Sequence, residues 1–145
     1  MNKFLGVSMI LLALVIAIAP AFTDCESGGK MLTTADGRSV SMKCHWAGIA
    51  EIAAAIPLGI AGIYALRSRR RETTRFAGIV GAASGATAIL LPTLLIGVCA
   101  NPMMLCNVLM RPILLTAGIL AIVASIALYI TAREPELPAA PAAAA

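Results

Sequence analysis

A ten-residue stretch, Met42-Lys43-Cys44-His45-Trp46-Ala47-Gly48-Ile49-Ala50-Glu51, holds the only histidine and the only tryptophan of this 145-residue chain. It also carries one of four cysteines and an acidic residue in an otherwise apolar run. Thiols, an imidazole and a carboxylate are the side chains that bond metals, exchange electrons or move protons. The other cysteines are Cys25, Cys99 and Cys106. Four cysteines allow three pairings. In an oxidising compartment the leading expectation is two structural disulfides. The simplest pairing is Cys25–Cys44 and Cys99–Cys106, within each loop; cross-pairing would staple the two loops together. Thiol–disulfide exchange is the alternative, and it needs an activated, exposed thiolate. No Cys-x-x-Cys pair exists, and Cys99 and Cys106 have six residues between them. A further alternative is soft-metal handling: Cys44-His45 with Met103-Met104 and Cys106, and Met31, Met42 and Met110 nearby, offers ligands suited to Cu(I). Cysteines tied up in disulfides would be lost to that role.

Glu51 lies five residues inward of Trp46, about 7 Å deeper by helical rise. A carboxylate at that depth in a membrane helix calls for a partner or a proton. Arg111, at the outer end of the fourth apolar run, is the candidate partner, since its long side chain can reach down or snorkel up. His45 is six positions away, on a different helical face. The expected role is a bundle-locking polar pair; a single carboxylate is not a proton relay.

These residues are set by four apolar runs. The chain is 60% hydrophobic and 12% charged, too apolar to cover itself as a soluble domain. Helices are expected at about 4–22, 46–66, 76–98 and 112–131, each long enough for a bilayer core, within a single domain over 1–132. The first run reads as a retained helix, since one Lys makes a thin signal-peptide n-region and the run is long. Residues 23–43 form a polar loop with Gly28-Gly29 and Asp36-Gly37 as turn signals, which is either a small hairpin around Asp36-Gly37-Arg38 or an irregular loop. Pro57 and Pro92 fall inside helices, and Pro112 opens the fourth in a tolerated first-turn position. The Pro/Ala-rich stretch 133–145 is expected to be a disordered cytoplasmic tail. Arg67, Arg69, Arg70, Arg71 and Arg75 mark a cytoplasmic loop. Both termini are then cytoplasmic, and all four cysteines fall on the extracytoplasmic side. The net charge of +4 therefore does not point to nucleic acid, and 4% aromatic residues leave little to stack on bases.

Small residues recur at four-residue spacing: Ala13, Ala17 and Ala21; Ala47, Ala55 and Gly59, with Glu51 on the same stripe; Ala77, Gly81 and Gly85; Ala117, Ala121 and Ser125. Such stripes let membrane helices approach closely. The fold expected is an all-α membrane protein, an up-down-up-down four-transmembrane-helix bundle with two disulfide-bearing extracytoplasmic loops.

The motif Met42-Lys43-Cys44-His45-Trp46 with Ala50-Glu51, and Cys99-Ala-Asn-Pro-Met-Met-Leu-Cys106, resembles a family of small four-helix bacterial and archaeal membrane proteins catalogued as a domain of unknown function. The resemblance covers the chain up to the tail. It implies company with FtsX/MacB-like ABC permeases, hence an accessory membrane subunit, with Cys44, His45, Glu51, Cys99 and Cys106 as matching positions. It brings no activity with it, and separately no cofactor is expected from the residues. No nucleotide loop, Ser/His/Asp set or metalloprotease helix is present. The reading is a non-enzymatic membrane protein contacting lipid and other membrane helices, with extracytoplasmic thiol–disulfide redox and copper handling as alternatives.

Overall fold

The computed structural model describes residues 2–132 apart from 27, 28, 30 and 69. The expected tail, 133–145, lies outside the described residues. Helix α1 spans Asn2–Thr23, α2 spans Lys43–Arg67, α3 spans Arg71–Leu90, and α4 spans Arg111–Thr131. A π-helical turn over Leu91–Leu95 extends α3, and another over Cys106–Met110 leads into α4. With those turns, all four helices are long and apolar enough to cross a membrane. Large aliphatic side chains face outward along them, including Leu11, Ile18, Ile56, Ile63, Leu120 and Val123.

The helix limits differ from the sequence expectation mainly at the basic segment. Arg71 and Arg75 belong to α3, which begins five residues earlier than expected and leaves 68–70 as the connection. Arg and Glu are good helix formers, and Glu72 sits in the first turn, where the helix dipole favours an anion. The buried Thr74 hydroxyl donates to the Arg70 carbonyl at 3.0 Å, and the Arg75 guanidinium lies 5.3 Å from the centre of the Tyr129 ring. At the other end, α2 begins at Lys43, ahead of Trp46. Helical structure resumes at Cys106, ahead of Pro112. The first loop holds the hairpin, β1 (Leu32–Thr33) antiparallel to β2 (Ser39–Val40), turned by Gly37 at φ 76°.

Each helix packs on its sequence neighbours, and α1 also packs on α4, closing the ring. Two pairs of glycines meet reciprocally where helices cross closely. A Cβ on Gly6 would stand 2.9 Å from the Gly62 carbonyl oxygen, and one on Gly62 equally close to that of Gly6. Gly85 and Gly118 stand in the same reciprocal relation, also at 2.9 Å. Lipid supplies no hydrophobic drive, so this backbone contact is what holds α1 to α2 and α3 to α4. The small-residue stripes of α3 and α4 are buried as expected, with Ala77, Gly81 and Gly85 opposite Ala117, Ala121 and Ser125. In α1 only Ala13 of its stripe is buried; the inward face is Gly6, Met9, Ala13, Ile16 and Pro20. Alternating steps of three and four follow the 3.6-residue turn, whereas strict fours drift off the face.

Replacing Gly85 or Gly118 with Leu should destabilise the bundle by about 1–3 kcal/mol through overpacking. Gly59→Ala should be close to neutral, because the nearest atom, Ala13 Cβ, is 3.6 Å from the added methyl. Thermal unfolding in mild detergent distinguishes the two; equal midpoints would contradict the assigned crossings.

Candidate functional site: a four-sulfur cluster with an adjoining imidazole–carboxylate triad

The bundle gathers both cysteine-bearing connections at one end. Cys25 follows the last turn of α1, and Cys44 occupies the first turn of α2. Cys99 precedes the second loop's turn, and Cys106 opens the π turn before α4. Their four sulfurs all lie within 4.8 Å of one another. Cys25 Sγ is 3.4 Å from Cys106 Sγ and 3.5 Å from Cys99 Sγ, and Cys99 Sγ is 3.6 Å from Cys44 Sγ. Cys25, Cys44 and Cys106 are buried, and Cys99 is half-buried. Two thioethers stand just outside: Met104 Sδ is 3.8 Å from Cys25 Sγ, and Met42 Sδ is 3.9 Å from Cys99 Sγ. The second loop is braced by Asn107, whose side-chain amide donates to the carbonyls of Cys99 and Asn101.

All four cysteines are free thiols in this structure, where two disulfides were expected. The loops do not segregate into a Cys25–Cys44 pair and a Cys99–Cys106 pair. Instead, sulfurs from opposite ends of the chain meet in one cluster. Burial is the leading cause that drives the Cys25 thiol far above its usual range, with hydrogen bonds from the neighbouring thiols adding to it. Burial likewise pushes Cys99 up to about 11. Thiols that keep their protons at neutral pH are poor nucleophiles, which disfavours fast disulfide exchange through these two.

His45 is not part of the sulfur cluster. Its Nδ1 lies 3.3 Å from Asp24 Oδ2 and 2.9 Å from Glu26 Oε2, so imidazole and carboxylates form a second group of potential ligands. These residues interleave with the thiols along the chain: Asp24 and Glu26 flank Cys25, and His45 follows Cys44. Asp24 and Glu26 carry no motif in the sequence; their role appears only once α1 and α2 are packed together. Trp46 is exposed at the end of α2, with its ring edge-on to His45 at 5.9 Å. Lys43 is exposed beside Cys44. Met103 is exposed and away from the sulfurs, so the expected Met103-Met104 pair contributes Met104 alone.

Glu51 lies two helical turns inward of Cys44 on the same face of α2, about 10 Å deeper, and is fully buried. Neither of its carboxyl oxygens makes a hydrogen bond. Arg111 is exposed and lines an open groove together with Cys99 and Asn107. The expected Glu51–Arg111 pair is therefore not formed among the described residues. The π turn over Cys106–Met110 buries Cys106 and Met110 and leaves Arg111, the next residue, facing outward.

A bundle of four membrane-length helices capped by a four-sulfur cluster is the class of protein that fold and site define. Residues 5–131 match the family model described as a domain of unknown function, DUF4418, and the chain belongs to that family. No curated protein and no solved structure matches it.

Two outcomes follow from this geometry. In the reduced, metal-free protein, alkylation of Cys99 should rise about tenfold per pH unit from pH 7 to 10, because its thiolate fraction is still climbing there. A plateau near pH 9 in a stopped-flow labelling assay would contradict the burial of that thiol. Glu51→Gln and Arg111→Gln should have effects on unfolding that add within about 0.5 kcal/mol in the double variant, as for uncoupled sites. A larger coupling would restore the ion pair.

Proposed function

We propose that this chain is a non-enzymatic membrane protein whose working part is a thiolate centre for a thiophilic d10 metal ion, held at one end of the bundle by Cys25, Cys44, Cys99 and Cys106. The observation that carries the reading is the mutual spacing of the sulfurs. Bonds of about 2.3 Å to a tetrahedral ion place thiolates about 3.8 Å apart, whereas a disulfide needs about 2.05 Å. The separations of 3.4, 3.5 and 3.6 Å, within an outer limit of 4.8 Å, match the former spacing. Every ligand comes from a different turn or helix end, so one ion would tie α1, α2 and α4 together.

Loading converts four thiols and a divalent ion into a tetrathiolate complex and four protons. The complex carries two negative charges, and Lys43 and Arg111 supply positive charge at this end of the molecule. With the arginine-rich connection in the cytoplasm, the centre is extracytoplasmic, and a bound ion would shield the thiols from oxidation there. The accessory-subunit role follows from the family resemblance: the cap would be presented to a partner such as an FtsX/MacB-like ABC permease.

A second reading is thiol–disulfide exchange. It is favoured by one observation, that Cys25 has two sulfur neighbours at nearly equal distance, Cys106 and Cys99. The two readings exclude each other, since each disulfide removes two ligands.

Titration of the reduced protein in detergent with Co²⁺, as a spectroscopic stand-in for Zn²⁺, should give thiolate-to-cobalt charge-transfer absorption that saturates at one equivalent and is displaced by Zn²⁺. Serine at any of the four positions should weaken it by at least about tenfold. Apparent affinity should rise with pH, because binding displaces thiol protons that burial holds on. Absence of charge transfer, with alkylation unaffected by Zn²⁺, would overturn the reading.

A further inference from the structure

The imidazole–carboxylate triad beside the cluster has no part in holding the sulfurs, yet it is built like a ligand set. The His45 side chain is 31% exposed and that of Glu26 34%, while Asp24 is more deeply set at 12%. Glu26 Oε2 is shut off from solvent and makes no hydrogen bond, although it stands 2.9 Å from His45 Nδ1. Asp24 Oδ2 is 3.3 Å from the same nitrogen. Bonds of about 2.0–2.1 Å to a tetrahedral ion would separate nitrogen and oxygen ligands by about 3.3 Å. The ring nitrogen is hydrogen-bonded to Asp24 Oδ2, which leaves the buried Glu26 Oε2 close to it but off the line of a hydrogen bond, a carboxylate oxygen that a cation between the three groups would satisfy.

The triad also borders a cleft of its own. Asp24 and His45 line a cleft of about 150 Å³ between α1 and α2, with Pro20, Gly48 and Ile52 on its walls. Each triad residue is adjacent in sequence to a cysteine of the cluster, so the same turns that aim Cys25 and Cys44 at the sulfurs aim Asp24, Glu26 and His45 away from them. An ion held by the triad would stand one residue's reach from the thiols.

We propose that Asp24, Glu26 and His45 form a second, outer cation site that captures a divalent ion of the zinc class and passes it to the four-cysteine centre. The inference rests on the metal-thiolate reading and sharpens it. Nitrogen and carboxylate ligands suit Zn²⁺, whereas Cu(I) selects sulfur. The cargo is therefore divalent zinc-class metal rather than copper. Transfer is ligand exchange without electron transfer: each thiol gives up its proton as its sulfur bonds the ion, and the triad's oxygen and nitrogen bonds to the ion break. The freed carboxylates and imidazole can accept those four protons in turn and pass them to solvent, so the ion moves with the net release of four protons to water.

The test uses the full chain in detergent. A Cys25→Ser/Cys44→Ser/Cys99→Ser/Cys106→Ser variant lacks every thiol ligand and should still bind one equivalent of Zn²⁺, measured by calorimetry, with affinity falling about tenfold or more in Glu26→Gln and in His45→Ala. In the four-cysteine protein, Glu26→Gln and His45→Ala should slow the appearance of the thiolate-to-cobalt band at limiting Co²⁺ by about tenfold while leaving its final amplitude unchanged. Glu26→Gln is the guard against misfolding, being a near-isosteric change on a partly exposed side chain. If the cysteine variant binds no Zn²⁺ and loading rates are unchanged while the wild-type charge-transfer band persists, the outer site is wrong and the thiolate centre stands. If the band itself is absent, the thiolate reading has failed, and Zn²⁺ binding by the cysteine variant then decides the triad by itself.

Discussion

Four thiols packed at 3.4–3.6 Å cannot all be charged. At an effective dielectric near 20, two thiolates about 3.5 Å apart repel by nearly 5 kcal/mol, and three of the cluster's six pairs lie at about that distance, with the rest within 4.8 Å. The cluster must therefore keep its protons, form sulfur–sulfur bonds or take up a cation. Burial favours the protons at Cys25 and Cys99, whose thiols are shifted up, whereas at Cys106 burial is outweighed by hydrogen bonds from the Cys99 backbone and the neighbouring thiols, which shift the thiol down, so the protons are not held equally at the four sulfurs. A divalent ion removes the repulsion while preserving the spacing. Disulfides would instead draw the sulfurs together in pairs and break the four-fold arrangement.

The rest of the structure brings those sulfurs together without help from a hydrophobic core of the soluble kind. Reciprocal glycine contacts draw α1 onto α2 and α3 onto α4, and the short connection between α2 and α3 forces the two hairpins side by side. The ends bearing cysteine then coincide. Asn107 braces the second loop from within, and Gly97, at φ 76°, takes the chain out of the π turn that extends α3. Below the cap, Glu51 leaves a carboxyl group without a hydrogen bond in the bundle interior. This is a costly feature for a membrane helix, and the described residues supply no compensating charge for it.

Much of this was legible in the sequence. Run lengths and the arginine segment gave four helices with the cysteines at one end, Asp36-Gly37 marked the hairpin turn, and the small residues of α3 and α4 mapped to buried faces. What the sequence could not show is how sulfurs separated by up to 81 positions share one space. Spacing within a loop suggested Cys25–Cys44 and Cys99–Cys106 as local pairs, because sequence proximity says nothing about the crossing of two loops. His45 was read with Cys44 as a soft ligand pair, but successive residues in the first turn of a helix point about 100° apart, so one faces the sulfurs and the next faces Asp24 and Glu26. The position of Arg111 at the outer end of the fourth run and the reach of its side chain suggest Glu51 as its partner, but neither reports which way α4 is turned. The rotation of α4 that turns Arg111 outward depends on a π turn that no residue pattern announced.

The most direct test is X-ray absorption at the zinc edge on the full chain, reduced and loaded with one equivalent of Zn²⁺. The metal-thiolate account predicts a first shell of four sulfur atoms at about 2.3 Å. A shell of nitrogen and oxygen alone, with intact mass showing that the reduced protein has reverted to two intramolecular disulfides, would contradict it.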